Sequence, residues 1–480
     1  MRSHVVLKYI GMVLLLNAVL MYVSVALSLF NDFDAGFYPL MTSAFIATVV
    51  GVFPFVFIKG EFNITNKESY AIVISAMSTS CVIGAMPFLL FGGEFTFVNS
   101  LFESVSGYTT TGATILSNVE ALPKSMLFWR SSTHLIGGAG IIIFALALLP
   151  MISKSRASLS NVELSAFVKD NFKYKVQKSV QIVLYVYFLL IALETILLHI
   201  AGMTWFDAIN HSFSTLASGG FSTKNTSILY FNNAWIEGII VAFMVLAGLH
   251  FGLIYSSLTT RKNNIFRSEV ARFYLLTMAV AIVLCSLNLW LTNSYGIVDS
   301  LRYSSFQVAS IMSTTGFANA DTSMWPPLAI IVIIFISFNG GCAGSTAGGI
   351  QSDRVLLIFK SFKAHFLQLQ HPNAIIKIRL SKINTDDNLL KSTLIFALFF
   401  ILVVLFGTII STALGVDVMT SFSSCLTCIS NIGPGFNLVS SFSNYDVLPD
   451  AVKVLYMLIM LAGRLQLFSF FQLFLLSSWR

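Results

Sequence analysis

The sequence predicts an all-α polytopic membrane protein, with two N-terminal spans followed by four units of span, short half-helix and second span. Three observations carry this. Of 480 residues, 56% are hydrophobic and 10% charged, against about 25% charged in soluble domains, and the mean hydropathy is +0.82. Apolar runs near the ~20 residues needed to cross a bilayer recur along the whole chain. Four times, a shorter apolar segment runs into a small-residue tract ending in glycine. The tracts are Thr109-Thr110-Thr111-Gly112, Ala217-Ser218-Gly219-Gly220, Ser313-Thr314-Thr315-Gly316 and Ser430-Asn431-Ile432-Gly433.

The elements follow in order. Residues 5–30 and 38–58 are read as spans. The first is too long for a signal-peptide core and lacks a clear cleavage site. Residues 1–69 therefore form an N-terminal pair, and the repeated units occupy 70–178, 179–268, 269–388 and 389–480. Basic loops separate the units, at 154–178, 261–267 and 360–382. Such units, unable to satisfy their own irregular backbone in lipid, are expected to assemble around a shared axis.

With a cytoplasmic N-terminus and ten full spans, most of the 28 Lys and Arg fall on the cytoplasmic side. The outer loops are acidic instead, with Asp34, Glu94, Glu103, Glu120 and Asp207 among them. This satisfies the positive-inside rule in one orientation, with both termini cytoplasmic. The net charge of +7 is thus an orientation signal, and nucleic-acid binding has no support. The five cysteines lie in or near apolar segments and suggest no disulfide framework.

The segment before each tract holds about twelve residues, or ~18 Å of helix, too short for a ~30 Å hydrocarbon core. A half-helix stopping inside the membrane aims its C-terminal carbonyls, carrying about half a negative charge, at the centre. Four of them favour a cation. Beyond each helix the chain must present successive carbonyls to one axis, and glycine allows the positive φ this needs. The expected ion-binding groups are the backbone carbonyls of Thr110, Thr111, Gly112, Ser218, Gly219, Gly220, Thr314, Thr315, Gly316, Asn431, Ile432 and Gly433. A small hydroxyl recurs at Ser106, Ser214, Ser310 and Thr427, placed to hydrogen-bond into that backbone. The bland alternative, glycines that only let helices pack, explains one tract better than four. The divergence of the units favours a single-chain pseudo-fourfold pore over a tetramer. The residues alone specify a monovalent cation, since each tract has one glycine level, unlike TVGYG filters.

The second span of the third unit contains five glycines between 340 and 349, each costing about 1 kcal/mol in a helix. It reads as a broken span with a loop beneath the tracts, formed by Gly340, Gly341, Gly344, Ser345, Thr346, Gly348 and Gly349. No Gly-Lys-Ser/Thr follows, so it is not a phosphate-binding loop. Arg464 stands in mid-span, too deep to reach water. Its guanidinium is expected to bond carbonyls of the 340–349 loop and hold a plug; the alternative is a pair with Glu194 or Glu237. Cys425 and Cys428 have the spacing of a redox pair, but small size accounts for them. His134, His199, His211 and His250 form no metal-ligand pattern. An intramembrane enzyme would need a cluster of acids, histidines or a nucleophile dyad that the spans lack. No motif for an organic cofactor occurs.

At residues 106–114 (SGYTTTGAT), 213–223 (FSTLASGGFST), 313–321 (STTGFANAD), 340–350 (GGCAGSTAGGI) and 431–435 (NIGPG), the chain resembles Trk-type potassium-uptake proteins, in the TrkH branch of the Trk/Ktr/HKT superfamily. The resemblance spans essentially the whole chain. It implies potassium as the permeating ion through a channel-like pore in a bacterial cytoplasmic membrane. It also implies a homodimer and a cytoplasmic, TrkA-like ring of nucleotide-binding subunits, for which loops 154–178 and 354–391 are the expected docking surface. A proton- or sodium-coupled potassium symporter is the alternative. One departure stands out: Gln351 occupies a place where the family commonly has lysine, leaving Arg354 or Lys360 to supply that charge.

Overall fold

A computed structural model describes residues 2–58, 66–147, 176–259, 265–373, 377–380, 383–385 and 387–465. The N-terminal pair is α1 (Ser3–Leu29) and α2 (Phe37–Phe57). The first unit is α3 (Asn66–Phe91), the short α4 (Phe97–Tyr108) and α5 (Lys124–Ala147). The second is α6 (Val176–Ile200), the short α7 (Trp205–Leu216), α8 (Ala234–Ala247) and α9 (Phe251–Thr259). The third is α10 (Glu269–Leu291), α11 (Ile297–Met312), α12 (Pro327–Phe338) and α13 (Ser352–Gln370). The fourth is α14 (Asp387–Ala413), the short α15 (Val418–Ser430) and α16 (Asp450–Arg464).

Among the described residues, six helices are long and apolar enough to cross a membrane, or seven if α8 and α9 count as one bent span. Ten spans were expected, and the shortfall has local causes. Helix α5 is 24 residues long and buried along 125–139, and the side chains of its apolar end, from residue 140, lie outside those described. Helix α12 has only 12 residues. Helix α16 is described to Arg464, and the expected remainder of that span, like most of the 154–178 loop, lies outside the described residues.

Two apolar cores flank the tracts. One joins α1 and α2 to the first and fourth units through Met21, Leu40, Phe102, Trp129 and Phe400. The other joins the second and third units through Tyr187, Phe251, Tyr274, Phe306 and Ile333.

The second unit departs from expectation: instead of one continuous span, α8 and α9 meet at 100°. The chain turns at Gly248-Leu249-His250, and the His250 ring caps α9 by accepting from Gly252 N at 2.9 Å through Nδ1. Gly248 is needed here, because a Cβ on it would sit 2.3 Å from the Tyr274 hydroxyl. In the third unit α12 stops at Phe338 and α13 starts at Ser352. The two ends of the intervening segment meet as parallel strands, β1 (Asn339–Gly340) with β2 (Ile350–Gln351). A further two-stranded pair, β3 (Arg379–Leu380) and β4 (Ile383–Asn384), lies before α14.

Candidate functional site: four glycine turns in a closed cycle

Three of the four short helices begin at a side-chain cap. Thr96 accepts from Asn99 N, Thr204 from Asp207 N and Asp417 from Thr420 N, each satisfying an otherwise orphan donor. Burial raises the Asp417 carboxyl, but hydrogen bonds from Thr420, Asn437 and Met419 outweigh it and hold the group below its ordinary value. Helix α11 starts instead at Gly296, without a side-chain cap, and runs to 16 residues.

All four helices end alike. The backbone N–H one residue before the glycine donates back five residues: Thr111 to Ser106, Gly219 to Ser214, Thr315 to Ser310 and Ile432 to Thr427, at 2.8–2.9 Å. The N–H before that donates to the next carbonyl along, as Thr110 does to Gly107, Ser218 to Thr215, Thr314 to Ile311 and Asn431 to Cys428. These are Schellman turns, which satisfy the helix carbonyls by placing one residue in the left-handed region. That residue is not glycine: Thr110, Ser218, Thr314 and Asn431 have φ of 51°, 53°, 57° and 56°. Gly112, Gly220, Gly316 and Gly433 follow at 78°, 84°, 79° and 97°.

The four turns touch one another in sequence around a closed cycle. A Cβ on Gly112 would lie 2.1 Å from Gly219 O, one on Gly220 2.2 Å from Thr315 O, and one on Gly316 1.9 Å from Ile432 O. One on Gly433 would lie 2.4 Å from Thr111 O, returning to the first turn. Each glycine therefore faces the carbonyl that precedes the next glycine. Past the turns, a cavity of about 100 Å³ is lined by Gly112, Gly220, Gly316, Pro434, Arg130 and Lys224.

The recurring hydroxyls behave less uniformly than expected. Ser310 Oγ donates to Phe317 O at 2.7 Å, one residue past its tract, and Thr427 Oγ1 to Gly433 O at 3.2 Å, within its tract. Ser214 Oγ instead meets His134 Nδ1, and Ser106 Oγ has no partner among the described residues. The feature common to all four is the main-chain carbonyl of that residue, which receives the turn's bond.

The segment 340–349 lies against these turns. Gly348 N donates to Thr314 Oγ1 at 2.9 Å, and Thr346 Oγ1 donates to Leu216 O, the last residue of α7, at 2.8 Å. The far side of the segment docks into the α8–α9 break, with Cys342 N donating to Gly248 O at 2.7 Å. Gly341 packs on Gly248 O, and Gly344, at φ 78°, packs on the His250 ring. Arg464 Nη1 donates to Thr346 O at 2.7 Å and Nη2 to Gly137 O of α5 at 3.1 Å. The alternative acid partner Glu237 is engaged by Arg302. Gly340 and Gly349 sit at the paired ends of the segment, and Ser345 Oγ donates to Cys342 O within it. Of the two side chains expected to replace the charge at Gln351, Lys360 pairs with Glu269 and Arg354 lies over Phe396.

Sequence reasoning missed the groups behind the turns. Arg130 and His134, one helical turn apart on α5, hold Phe221 between them. The guanidinium lies 3.5 Å from the ring centroid and the imidazole stacks at 4.1 Å. The His134 ring also fills the space beside Gly219. The i, i+4 spacing of Arg130 and His134 was the available signal. All five cysteines are free and buried, and no metal-sized group of His, Cys, Asp or Glu occurs among the described residues.

The profile of the TrkH family, described as a cation transport protein, matches residues 38–478. The chain belongs to the TrkH family. It is 35% identical over 384 residues to the Trk system potassium uptake protein TrkH of Halomonas elongata, covering 80% of this chain and 79% of that one. To the Trk system potassium uptake protein TrkG of Escherichia coli K12 it is 35% identical over 386 residues, with the same shares covered. The crystal structure of the potassium transporter TrkH from Vibrio parahaemolyticus superposes with a TM-score of 0.90 over 100% of both chains, at 28% identity.

Proposed function

We propose that this protein takes up potassium across a bacterial cytoplasmic membrane through a gated, channel-like pore whose filter is made of backbone carbonyls. The single observation that carries the reading is the cyclic contact of Gly112, Gly220, Gly316 and Gly433 with the carbonyls of the neighbouring turns. Carbonyl dipoles brought together in this way substitute for the hydration shell of a cation. Four short helices direct their C-terminal ends at the same place and add to the negative potential. In this reading the units form a pseudo-fourfold pore, and Thr110, Thr111, Gly112 and their counterparts supply the filter.

The 340–349 segment and Arg464 act as the gate, because a guanidinium held beneath the filter opposes a cation. The membrane potential supplies the driving force: 100 mV is worth ~2.3 kcal/mol per charge, enough for about fifty-fold accumulation. Control falls to a cytoplasmic nucleotide-binding subunit, and the working assembly is a homodimer. The related proteins named as Trk system potassium uptake proteins support the choice of ion.

A coupled symporter is the second reading. It is favoured by Glu194, fully buried in α6 with no cationic partner among the described residues. Flux of potassium, rubidium, sodium and lithium into liposomes of controlled potential and pH decides between the two. A channel-like path follows the potassium Nernst potential. Uptake that requires an inward proton or sodium gradient overturns it.

A further inference from the structure

We propose that two ion pairs, the buried Glu103–Arg130 and the part-buried Glu237–Arg302, are positioning groups that set the spacing of the first three glycine turns and thereby the ion preference. The proposal deepens the filter reading and rests on it. Glu103 belongs to α4 and is fully buried, and Arg130 Nε donates to its Oε1 at 2.6 Å. The same carboxylate accepts from Thr114 Oγ1 at 3.0 Å and Ile115 N at 3.0 Å, just past Gly112. Arg130 meanwhile donates Nη1 to Ser222 O at 2.9 Å, just past Gly220, and covers Phe221. One pair thus grips the strands leaving the first and second turns.

The second pair joins the second and third units with the chemistry inverted, and reaches the exit strand of the third turn. Here the acid is on α8, the helix after its unit's turn, and the base on α11, the helix before its unit's turn. Arg302 of α11 meets Glu237 of α8 in a fork, at 2.9 Å through Nε and 2.6 Å through Nη2. Asn319, just past Gly316, donates to Glu237 Oε2 at 2.8 Å. A buried ion pair does little for net stability, since desolvation cancels much of the attraction. What it supplies is direction: two parallel N–H···O bonds tolerate little sliding. The first pair thereby sets the separation of two exit strands, and the second ties the exit strand of the third turn to α8.

The remaining junctions make the contrast. The fourth and first units are tied by Lys453, which donates to Asn99 Oδ1 at 2.9 Å and to Asp446 at 3.3 Å. The third and fourth units share a hydroxyl contact, Thr322 with Ser441 at 3.3 Å. A small cavity lies at that seam, between Ser310, Gly316, Thr427 and Ile432. Charged side chains thus stand at three seams, whereas the third–fourth seam is joined by neutral hydroxyl contacts, Ser430 Oγ to Ser337 O at 2.8 Å among them.

The test is selectivity in liposomes reconstituted with the full chain, comparing Arg130→Lys, Arg302→Lys and the paired Glu103→Gln/Arg130→Met variant with Gly316→Ser. Lysine keeps the charge but has no second arm for the exit strand or the fork. Potassium-over-sodium preference is expected to fall about tenfold in the lysine variants, with potassium flux per inserted protein retained. The charge-free double variant is expected to fall as well, and it gives the same measurement if a single variant fails to insert. An unchanged ion ratio in the pair variants, or a loss of flux at constant ratio, overturns the proposal. If Gly316→Ser shifts the ratio and the pairs do not, only the positioning role fails. If Gly316→Ser also leaves it unchanged, the filter reading itself fails.

Discussion

Replacing Gly316 by serine puts a carbon where the fourth turn keeps its Ile432 carbonyl oxygen. The two would be 1.9 Å apart, and real Cβ contacts essentially never fall below 3.0 Å. The first and cheaper cost is conformational, because Gly316 has φ of 79°, where an L-residue loses about 1–2 kcal/mol. The second is geometric. To clear the clash, the Ile432 carbonyl must retreat by about 1 Å, the difference between those two distances. In the proposed filter that carbonyl is one of the four oxygens nearest the ion. Moving it outward loosens the coordination that separates potassium from sodium. If the change costs potassium about 1.4 kcal/mol more than sodium, selectivity falls about tenfold. The assay is competitive cation flux into proteoliposomes at fixed membrane potential, normalised to inserted protein. A variant that inserts normally and keeps its potassium-over-sodium ratio refutes the reasoning, since the turn would then be remote from the permeating ion.

Other expectations follow from the same geometry. Arg464→Ala removes the bonds to Thr346 O and Gly137 O, so basal potassium flux without any regulatory subunit should rise; a closed-state flux equal to the parent's removes the gate. Gly344→Val drives a branched side chain into the His250 ring, from which a Cβ would be 2.6 Å away, and should shift the same basal flux by displacing the segment; no change places the segment off the path. Tyr108→Phe deletes a 2.5 Å bond to Asn17 Oδ1 and leaves a buried acceptor unpaired, so thermal unfolding in detergent should show a loss of about 1–3 kcal/mol with selectivity unchanged.

The features legible in the sequence were local ones. A half-helix announces itself by its length, and a glycine at a fixed distance beyond it announces a turn, so the four tracts could be placed without knowing what they touch. The left-handed residue preceding each glycine was not legible, because three of the four are Thr110, Ser218 and Thr314, types that rarely adopt that region. Only Asn431 belongs to a type that visits it readily. The bend at 248–250 was hidden for a different reason. Its single glycine looks like any packing glycine, and the groups that pack on and bond to it, Tyr274 and Cys342, come from another unit. Glu103 was visible as a charge but was read as part of an outer-loop orientation signal, since its pairing with Arg130 across a turn leaves no periodic trace.

Arg464 shows how far a single residue type carries the argument. A lone arginine in an apolar segment demands acceptors, and the two that matter most here are carboxylates and freed carbonyls. A carboxylate would have neutralised it and produced a structural brace. Glu237 is taken by Arg302, and the guanidinium bonds the carbonyls of Thr346 and Gly137 instead, while its Nε has no partner among the described residues. Carbonyls orient the charge without cancelling it, so a net positive charge stays beneath the turns. A cation leaving the proposed filter meets that charge in a medium of low dielectric, where repulsion is far stronger than in water. Because both acceptors sit on separate elements, α5 and the 340–349 segment, pulling either one away breaks half of the hold. Motion of the segment and relief of the electrostatic barrier are then the same event, which is the property a gate needs.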